Sequence, residues 1–295
     1  MNKNPKCVCP NLPCPIHGYC QMCIAASIKI KAFPNCMEPN VEACGGCLPR
    51  KRPQRTIVCE TFEEMSQKCA RMMARTVKEK PDALFCLSAE EGAIRTYEIL
   101  KEMSERGEVD FTRARFVQMI EITSPEDQKG MCGAFLRKYF FGPLGIRDDQ
   151  IRLFDTDAED LEAECANMDQ FLEKGGDIDF MLLGIGPDGQ LGFHEPEELF
   201  DQGIRVKELS ESMRQEVKKC TLAEAEPSQG ITMGMQQIFC AEKVVLMAGT
   251  KEKAEIMAKT YATLPQIAAP ATAMFLLKNG IVLMDRDAAS QIVDL

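Results

Sequence analysis

The sequence is poor in three features that would each indicate a function: long apolar runs, an excess of basic residues, and histidine. No apolar stretch approaches the roughly 20 residues that a membrane-spanning helix needs, so the sequence predicts no membrane partner. The net charge of -10 argues against nucleic acid as the main partner, because a phosphate backbone requires a basic surface. The two histidines are His17 and His194. The first residues lack the apolar core of a secretory signal, and we expect a cytoplasmic protein.

Cysteine, in contrast, is abundant and unevenly distributed. Eight of the fifteen cysteines fall within the first 47 residues, and the other seven are scattered singly, as is typical of small core residues. With His17, the first eight form a candidate set of metal ligands: Cys7, Cys9, Cys14, His17, Cys20, Cys23, Cys36, Cys44 and Cys47. Spacings of two residues let thiolates converge on one ion, and so polar a segment needs metal ligation to fold. We expect a structural zinc module at residues 1–48; an iron–sulfur cluster, disulfides or disorder are the alternatives.

The rest of the chain has the pattern of a large α/β domain. Residues 49–55 are basic and bounded by prolines, which indicates a linker. From residue 56 to residue 295, short apolar runs alternate with longer amphipathic segments. Strands predicted at 113–120 and 180–184, and helices at 61–80 and 231–239, belong to this alternation. It predicts a doubly wound, mostly parallel sheet with helices on both faces.

The most informative segment follows the strand predicted at residues 180–184. It continues through Gly186, Pro187, Asp188, Gly189 and Gln190 to His194, Glu195 and Pro196. Glycines allow the backbone to approach a ligand closely, and the side chains that follow can transfer protons. Ligands of open α/β sheets bind at the carboxyl ends of the strands. The segment therefore predicts a small-molecule site there.

At this segment the chain resembles the glucosamine-6-phosphate deaminase family, which shares its fold with the 6-phosphogluconolactonases. The family motif is Gly-x-Gly-x-Asp-Gly-His-x-Ala-Phe-Asn-Glu-Pro, and most of its positions are matched. The resemblance extends from about Thr56 to the C-terminus and includes Lys253 and Ala254. It implies isomerisation and deamination of an amino-sugar phosphate without a catalytic cofactor. Because members of the family often assemble, it also implies a homo-oligomer.

The resemblance assigns catalytic roles to several residues, and two of them depart from the family. Asp188 matches the ring-opening aspartate, and Glu195 matches the glutamate that orients the family histidine. That histidine is replaced by Gln190, which cannot carry a proton at neutral pH, so His194 becomes the candidate for the missing imidazole. The family base is replaced by Ile120, so its neighbour Glu121 becomes the candidate base.

The predicted substrate-binding residues show a third departure. The family phosphate loop, Thr-Gly-Gly-Thr-Pro, corresponds here to residues 89–93, where two glycines have become Glu90 and Glu91. These acids oppose a bound phosphate at a loop that should offer it backbone N–H groups. The remaining candidates for substrate binding are Ser88, Gly186, Gly189, Arg205, Lys207 and Lys253.

Three hypotheses about function remain once these departures from the family motifs are taken into account. The first is a family-like enzyme that acts on an amino sugar or sugar phosphate with altered specificity. The second is a sensor or scaffold without catalytic activity, which binds a sugar in this domain and a metal in the cysteine module. The third is the standard deaminase. The fold alone does not decide among them.

Overall fold

The computed structural model describes residues 55–221, 226–277 and 279–293. The predicted zinc module, all of its candidate ligands and most of the predicted linker lie outside these residues. Arg55, which was expected to end the linker, instead begins the first strand. Among the described residues, no group of three or more histidines, cysteines, aspartates or glutamates is placed to hold a metal ion. No helix in these ranges is both long enough and apolar enough to cross a membrane.

The described residues form ten strands in two sheets. In chain order the strands are Arg55–Cys59 (β1), Leu84–Leu87 (β2), Arg115–Gln118 (β3), Ile120–Ser124 (β4), Ile151–Arg152 (β5), Phe180–Leu183 (β6), Arg205–Glu208 (β7), Gln229–Thr232 (β8), Val244–Ala248 (β9) and Gly280–Asp285 (β10). Seven of them form a parallel sheet in the order β1-β10-β9-β6-β2-β3-β5. The other three form an antiparallel sheet in the order β4-β8-β7. The predicted fold class is confirmed for this domain.

The helices cover both faces of the large sheet. They are Phe62–Glu79 (α1), Glu91–Glu105 (α2), Met131–Leu136 (α3), Leu161–Gly175 (α4), Glu211–Thr221 (α5), Met235–Cys240 (α6), Ala254–Tyr261 (α7) and Arg286–Ala289 (α8). Helix α1 begins after Thr61, as its sequence predicts, because the Thr61 hydroxyl accepts the N–H of Glu64 at 3.1 Å.

The alternation of side chains along β6 divides the core into two layers. Phe180 and Leu182 face one layer, and Met181 and Leu183 face the other. All four are at most 2% exposed, as expected for a central parallel strand with helices on both sides. Five of the single cysteines are buried and Cys240 is half-buried, so the expectation that such cysteines belong to the core is confirmed for Cys59, Cys69, Cys86, Cys132 and Cys165.

Two predicted elements differ in the structure. The strand expected at 113–120 is divided, because the chain leaves the large sheet at Met119 and pairs Ile120 with Thr232 of β8. The helix expected at 231–239 is likewise divided into β8 and the short α6. In both cases antiparallel pairing within the small sheet overrides the local pattern. This break places Met119 and Ile120 beside the site described below.

Candidate functional site

A cavity of about 120 Å³ lies at the carboxyl ends of β2 and β6, where the motif predicted a ligand site. The β6 end, the start of β4 and one face of α5 form its walls. Its apolar lining includes Met119, Ile120, Ile185, Phe193, Met213 and Val217. Its polar and charged side chains are Ser88, Glu90, Gln190, Glu216 and Lys253. The mixture of an apolar wall and a few polar groups is typical of small-molecule sites.

The carboxylate of Glu90 lies inside this cavity, against the backbone of Gly184. A Cβ atom added to Gly184 would lie only 1.9 Å from the Oε1 atom of Glu90, so this contact requires glycine. Glu90 is the N-cap residue of α2, yet its side chain makes no capping hydrogen bond. Burial raises the pKa of Glu90, while the positive charge of Lys253 and a hydrogen bond from Ser88 oppose the rise. A carboxylate therefore occupies the loop where the family resemblance places a phosphate.

The glycine motif forms a tight turn that places Gln190 in the cavity. The N–H of Gly189 donates to Gly186 O at 3.0 Å, and Gly189 has a φ of 79°. The Gln190 side chain packs so closely on Gly186 that a Cβ atom there would lie 1.9 Å from Nε2. Its Oε1 accepts the N–H of Asp188 at 2.9 Å. Gln190 and Gly186 line the cavity, whereas Gly189 supports the turn from outside it.

Asp188 and Glu195 hold helix α5 and are not among the residues that line the cavity. Asp188 is exposed, and its Oδ2 accepts the Ser212 hydroxyl at 2.7 Å. Glu195 accepts the hydroxyl of Ser210, which also accepts the N–H of Met213 at 3.2 Å. The two acids predicted for catalysis thus bind the N-terminal turn of α5, and α5 supplies one wall of the cavity.

His194 is fully buried and points away from the cavity. Its Nε2 lies 3.2 Å from the backbone oxygen of Glu198, and its ring centroid is 5.9 Å from that of Phe200. Burial lowers the pKa of His194 to about 4, more than the negative charge of Glu198 raises it. The imidazole is therefore neutral near pH 7, and His194 is not among the residues that line the cavity with Gln190.

Glu121 is also buried outside the cavity. Its carboxylate accepts hydrogen bonds from the N–H groups of Ile122, Cys132 and Gly133 at 2.8, 2.9 and 2.7 Å. A fourth comes from the Gln118 side chain at 3.1 Å. Burial raises the pKa of Glu121, and these four donors limit the rise. Glu121 thus holds the first turn of α3, while Ile120 lines the cavity at the position of the family base.

The three predicted basic residues are divided between two places. Lys253 lines the cavity, and its Nζ donates to Ile185 O at 2.7 Å. Arg205 and Lys207 lie outside it, where both pair with the carboxylate of Glu198. The sequence did not single out Met213, Glu216 or Val217, which α5 brings to the cavity. Their spacing of three and four residues marks one helix face, but only the tertiary fold shows what that face covers.

Known proteins of similar sequence agree with this architecture. The sequence model of the glucosamine-6-phosphate isomerases/6-phosphogluconolactonase family matches residues 59–282. A glucosamine-6-phosphate deaminase from Thermoanaerobacter sp. (strain X514) is 34% identical over 242 residues, which cover 81% of this chain and 96% of that protein. Glucosamine-6-phosphate deaminase 1 of Bacillus subtilis (strain 168) is 32% identical over 238 residues, covering 80% of this chain and 98% of the relative.

Solved structures give the same result. A monomeric glucosamine-6-phosphate deaminase superposes with a TM-score of 0.76 at 32% identity, over 81% of this chain and all (100%) of the other. A 6-phosphogluconolactonase from Trypanosoma brucei has a TM-score of 0.63 at 19% identity, covers 82% of this chain and 99% of its own, and shows the fold alone. The chain is a glucosamine-6-phosphate deaminase-like protein of carbohydrate metabolism and belongs to the glucosamine-6-phosphate isomerase/6-phosphogluconolactonase family.

Proposed function

We propose that this protein is a sugar-processing enzyme of the isomerase and deaminase kind with altered specificity, and that its substrate carries no phosphate in the Glu90 region of the cavity. The observation that carries this proposal is the Glu90 carboxylate lying against Gly184. An unphosphorylated amino sugar such as glucosamine is the first candidate, because relatives of this chain are named for the phosphorylated form of that sugar.

Charge is the first argument for this specificity. The carboxylate and ammonium side chains that line the cavity are Glu90, Glu216 and Lys253, two acids and one base. A phosphate would bring a further charge of about -1.5 to -2 into this space. Two unit charges 4 Å apart interact by about 4 kcal/mol at an effective dielectric constant of about 20, and one lysine offsets only part of that repulsion. In this cavity Glu90 supplies the negative charge near Lys253 that a substrate phosphate would otherwise supply.

The chemistry of the cavity is the second argument. Isomerisation of an aldose needs a group that removes a proton from carbon and returns it to the neighbouring carbon. Ile120 has no such group, and the side chain of Gln190 cannot titrate. The carboxylate of Glu121 lies outside the cavity and accepts four hydrogen bonds there. Glu90 is a carboxyl within the cavity whose pKa is raised by burial, a property that suits a general base at neutral pH. We assign the proton transfer of the proposed enzyme to Glu90.

The second candidate function is a sugar-binding sensor without turnover. Ile120 at the base position and Gln190 at the histidine position favour it, because both remove groups on which the family chemistry depends. The two candidates share the same preference for a sugar without phosphate. They differ only in whether bound sugar is converted to product.

The test compares glucosamine, glucose, glucosamine 6-phosphate and glucose 6-phosphate on the purified full chain. A ligand of the native state raises Tm by mass action, so we expect glucosamine to raise Tm more than glucosamine 6-phosphate does. Ammonia release and ketose formation from glucosamine identify the enzyme. Binding without any product identifies the sensor.

Variants of two adjacent glutamates sharpen this test. E90Q keeps the shape of the side chain and removes its charge, so it should reduce the discrimination against glucosamine 6-phosphate. E91Q is the matched control, because Glu91 is exposed in the first turn of α2 and should behave as the unaltered protein does. A larger Tm increase with glucosamine 6-phosphate than with glucosamine in the unaltered protein contradicts the proposal.

A further inference from the structure

A second cavity, of about 350 Å³, lies at the amino ends of the parallel strands, the sheet edge opposite the candidate site. Asp179 and Lys243 directly precede β6 and β9 there, and the C-terminal turn of α1 forms one side. The charged residues that line it are four acids and two lysines: Glu79, Asp177, Asp179, Glu242, Lys80 and Lys243. The residues that the structure describes around it are all different from those that line the cavity at β2 and β6. The molecule therefore has a second space that admits a small molecule.

The two lysines of this second cavity have different partners. Lys80 Nζ donates to both carboxylate oxygens of Asp179, at 2.8 and 2.9 Å. Lys243 Nζ donates instead to the hydroxyl oxygen of Thr76 at 3.1 Å, and it lies 5.8 Å from the centroid of the Phe180 ring. Among the residues that the structure describes, Lys243 has no carboxylate in salt-bridge contact. Lys243 is thus a half-buried amine held by a neutral hydroxyl and an aromatic ring.

These surroundings make the amine of Lys243 more nucleophilic than that of a surface lysine. Burial lowers the pKa of Lys243 more than the negative charge of Glu79 raises it, and the positive charge of Arg75 lowers it further. Only the neutral amine attacks a carbonyl carbon, which is why desolvated lysines form Schiff bases with carbonyl compounds. The exposed Lys259 is the opposite case, because its hydrogen bond to the Glu255 carboxylate raises its pKa. Lys243 therefore carries a larger fraction of reactive amine than Lys259 near pH 7.

The acidic lining favours an aldehyde over an activated acyl group as the reaction partner. Acylation would turn the amine into a neutral amide and leave Lys80 to face the four acids of the lining. A protonated imine keeps the positive charge at Lys243, and the same acids stabilise it. An acyl phosphate also carries negative charge, which the acids repel, whereas a neutral aldehyde meets no such repulsion.

We propose that Lys243 is the reactive amine of a second site, which binds small neutral hydroxy-aldehydes as protonated imines. Lys243 Nζ attacks the carbonyl carbon, a C–N bond forms, and a proton moves from nitrogen to the carbonyl oxygen to give a carbinolamine. That hydroxyl then leaves with a proton as water, and the C=N double bond takes a proton from solvent. Nothing is oxidised or reduced in these steps. The inference does not depend on the substrate of the cavity at β2 and β6.

The test is reductive trapping of the imine on the unaltered full chain. Glycolaldehyde is added at pH 7 with sodium cyanoborohydride, which supplies the hydride that converts an imine into a stable secondary amine. Mass spectrometry of the peptides then measures the rate of labelling at each lysine. We expect Lys243 to be labelled at least about fivefold faster than Lys259, because each unit of difference in pKa changes the fraction of neutral amine about tenfold.

Unfolding the same chain provides the matched control. In concentrated guanidinium chloride Lys243 and Lys259 should be labelled at equal rates, since the preference depends on the fold. Acetyl phosphate, tested on the folded protein without cyanoborohydride, should show a smaller preference for Lys243 than glycolaldehyde does. Equal labelling of the two lysines by glycolaldehyde in the folded protein overturns the proposal. An equal or larger preference for Lys243 with acetyl phosphate overturns the assignment of the site to aldehydes.

Discussion

The variant E121Q tests whether the buried carboxylate beside the base position is structural. Glu121 is 1% exposed, and each of its oxygens accepts two hydrogen bonds. Glutamine keeps the shape, but only its carbonyl oxygen can accept. If that oxygen takes the place of Oε1, it still serves Ile122 and Cys132. The amide nitrogen then faces the N–H of Gly133, a donor that it cannot satisfy, and the amide of Gln118, whose unpartnered Oε1 can turn to accept from it.

The expected cost follows from the one donor left without a partner, the N–H of Gly133. A buried donor without a partner costs about 1–3 kcal/mol. Removing the charge returns part of this, because burial disfavours the ionised form of Glu121 and raises its pKa. We therefore expect a loss of about 1–2 kcal/mol in the free energy of unfolding, or roughly 2–8 °C in Tm for a domain of this size.

Urea denaturation followed by circular dichroism measures this loss, and turnover of glucosamine is measured on the same samples at a temperature where both proteins are folded. The control is E126Q, because the Glu126 side chain is 81% exposed and its loss should cost no more than about 0.5 kcal/mol. An E121Q variant that is as stable as the unaltered protein and yet inactive would refute the reasoning, since Glu121 would then act in catalysis.

Three further predictions concern pH and metal. Burial and the charge of Glu173 raise the pKa of Asp169 to about 6, above its unfolded value of about 3.9. The ionised carboxylate therefore destabilises the folded protein, and this cost grows from about pH 4 and is complete above about pH 6. D169N removes the cost, so it should raise Tm at pH 8 and have little effect at pH 4. Burial lowers the pKa of His194 to about 4, below its unfolded value of about 6.5, so the free energy of unfolding falls as pH decreases from about 6.5 to 4. H194N has no group that titrates there, so the pH-dependent loss should be smaller in the variant by up to about 3 kcal/mol. Urea titrations across this pH range measure it. The full chain, purified without added metal, should contain at least one zinc ion per molecule by elemental analysis, and a C20S/C23S variant should lose it; less than one zinc or iron contradicts the sequence prediction.

The fold was largely predictable because local signals and tertiary structure agree. Thr61 caps α1 as its sequence suggests, and the apolar run of β6 is buried on both faces. The break at Met119 was not predictable, because it depends on pairing between Ile120 and Thr232, which are far apart in sequence. A continuous apolar run carries no signal for such a change of sheet.

The site was predictable in position but not in the direction of its side chains. The motif located the turn from Gly186 to Gln190 at the carboxyl end of β6. Asp188, however, points toward Ser212 of α5, a partner that the motif does not specify. The position of Glu90 likewise depends on space above Gly184, a residue on another part of the chain. Both directions are set by tertiary contacts, which a motif read along one segment does not contain.

The central claim is that the Glu90 carboxylate excludes phosphorylated sugars from the cavity. Calorimetric titration of glucosamine and glucosamine 6-phosphate into the unaltered protein and into E90Q tests it most directly. The account predicts that glucosamine binds more tightly to the unaltered protein, and that E90Q shifts the ratio of the two Kd values toward the phosphate by roughly 10- to 100-fold. Tighter binding of glucosamine 6-phosphate to the unaltered protein, with the same ratio in E90Q, would contradict it.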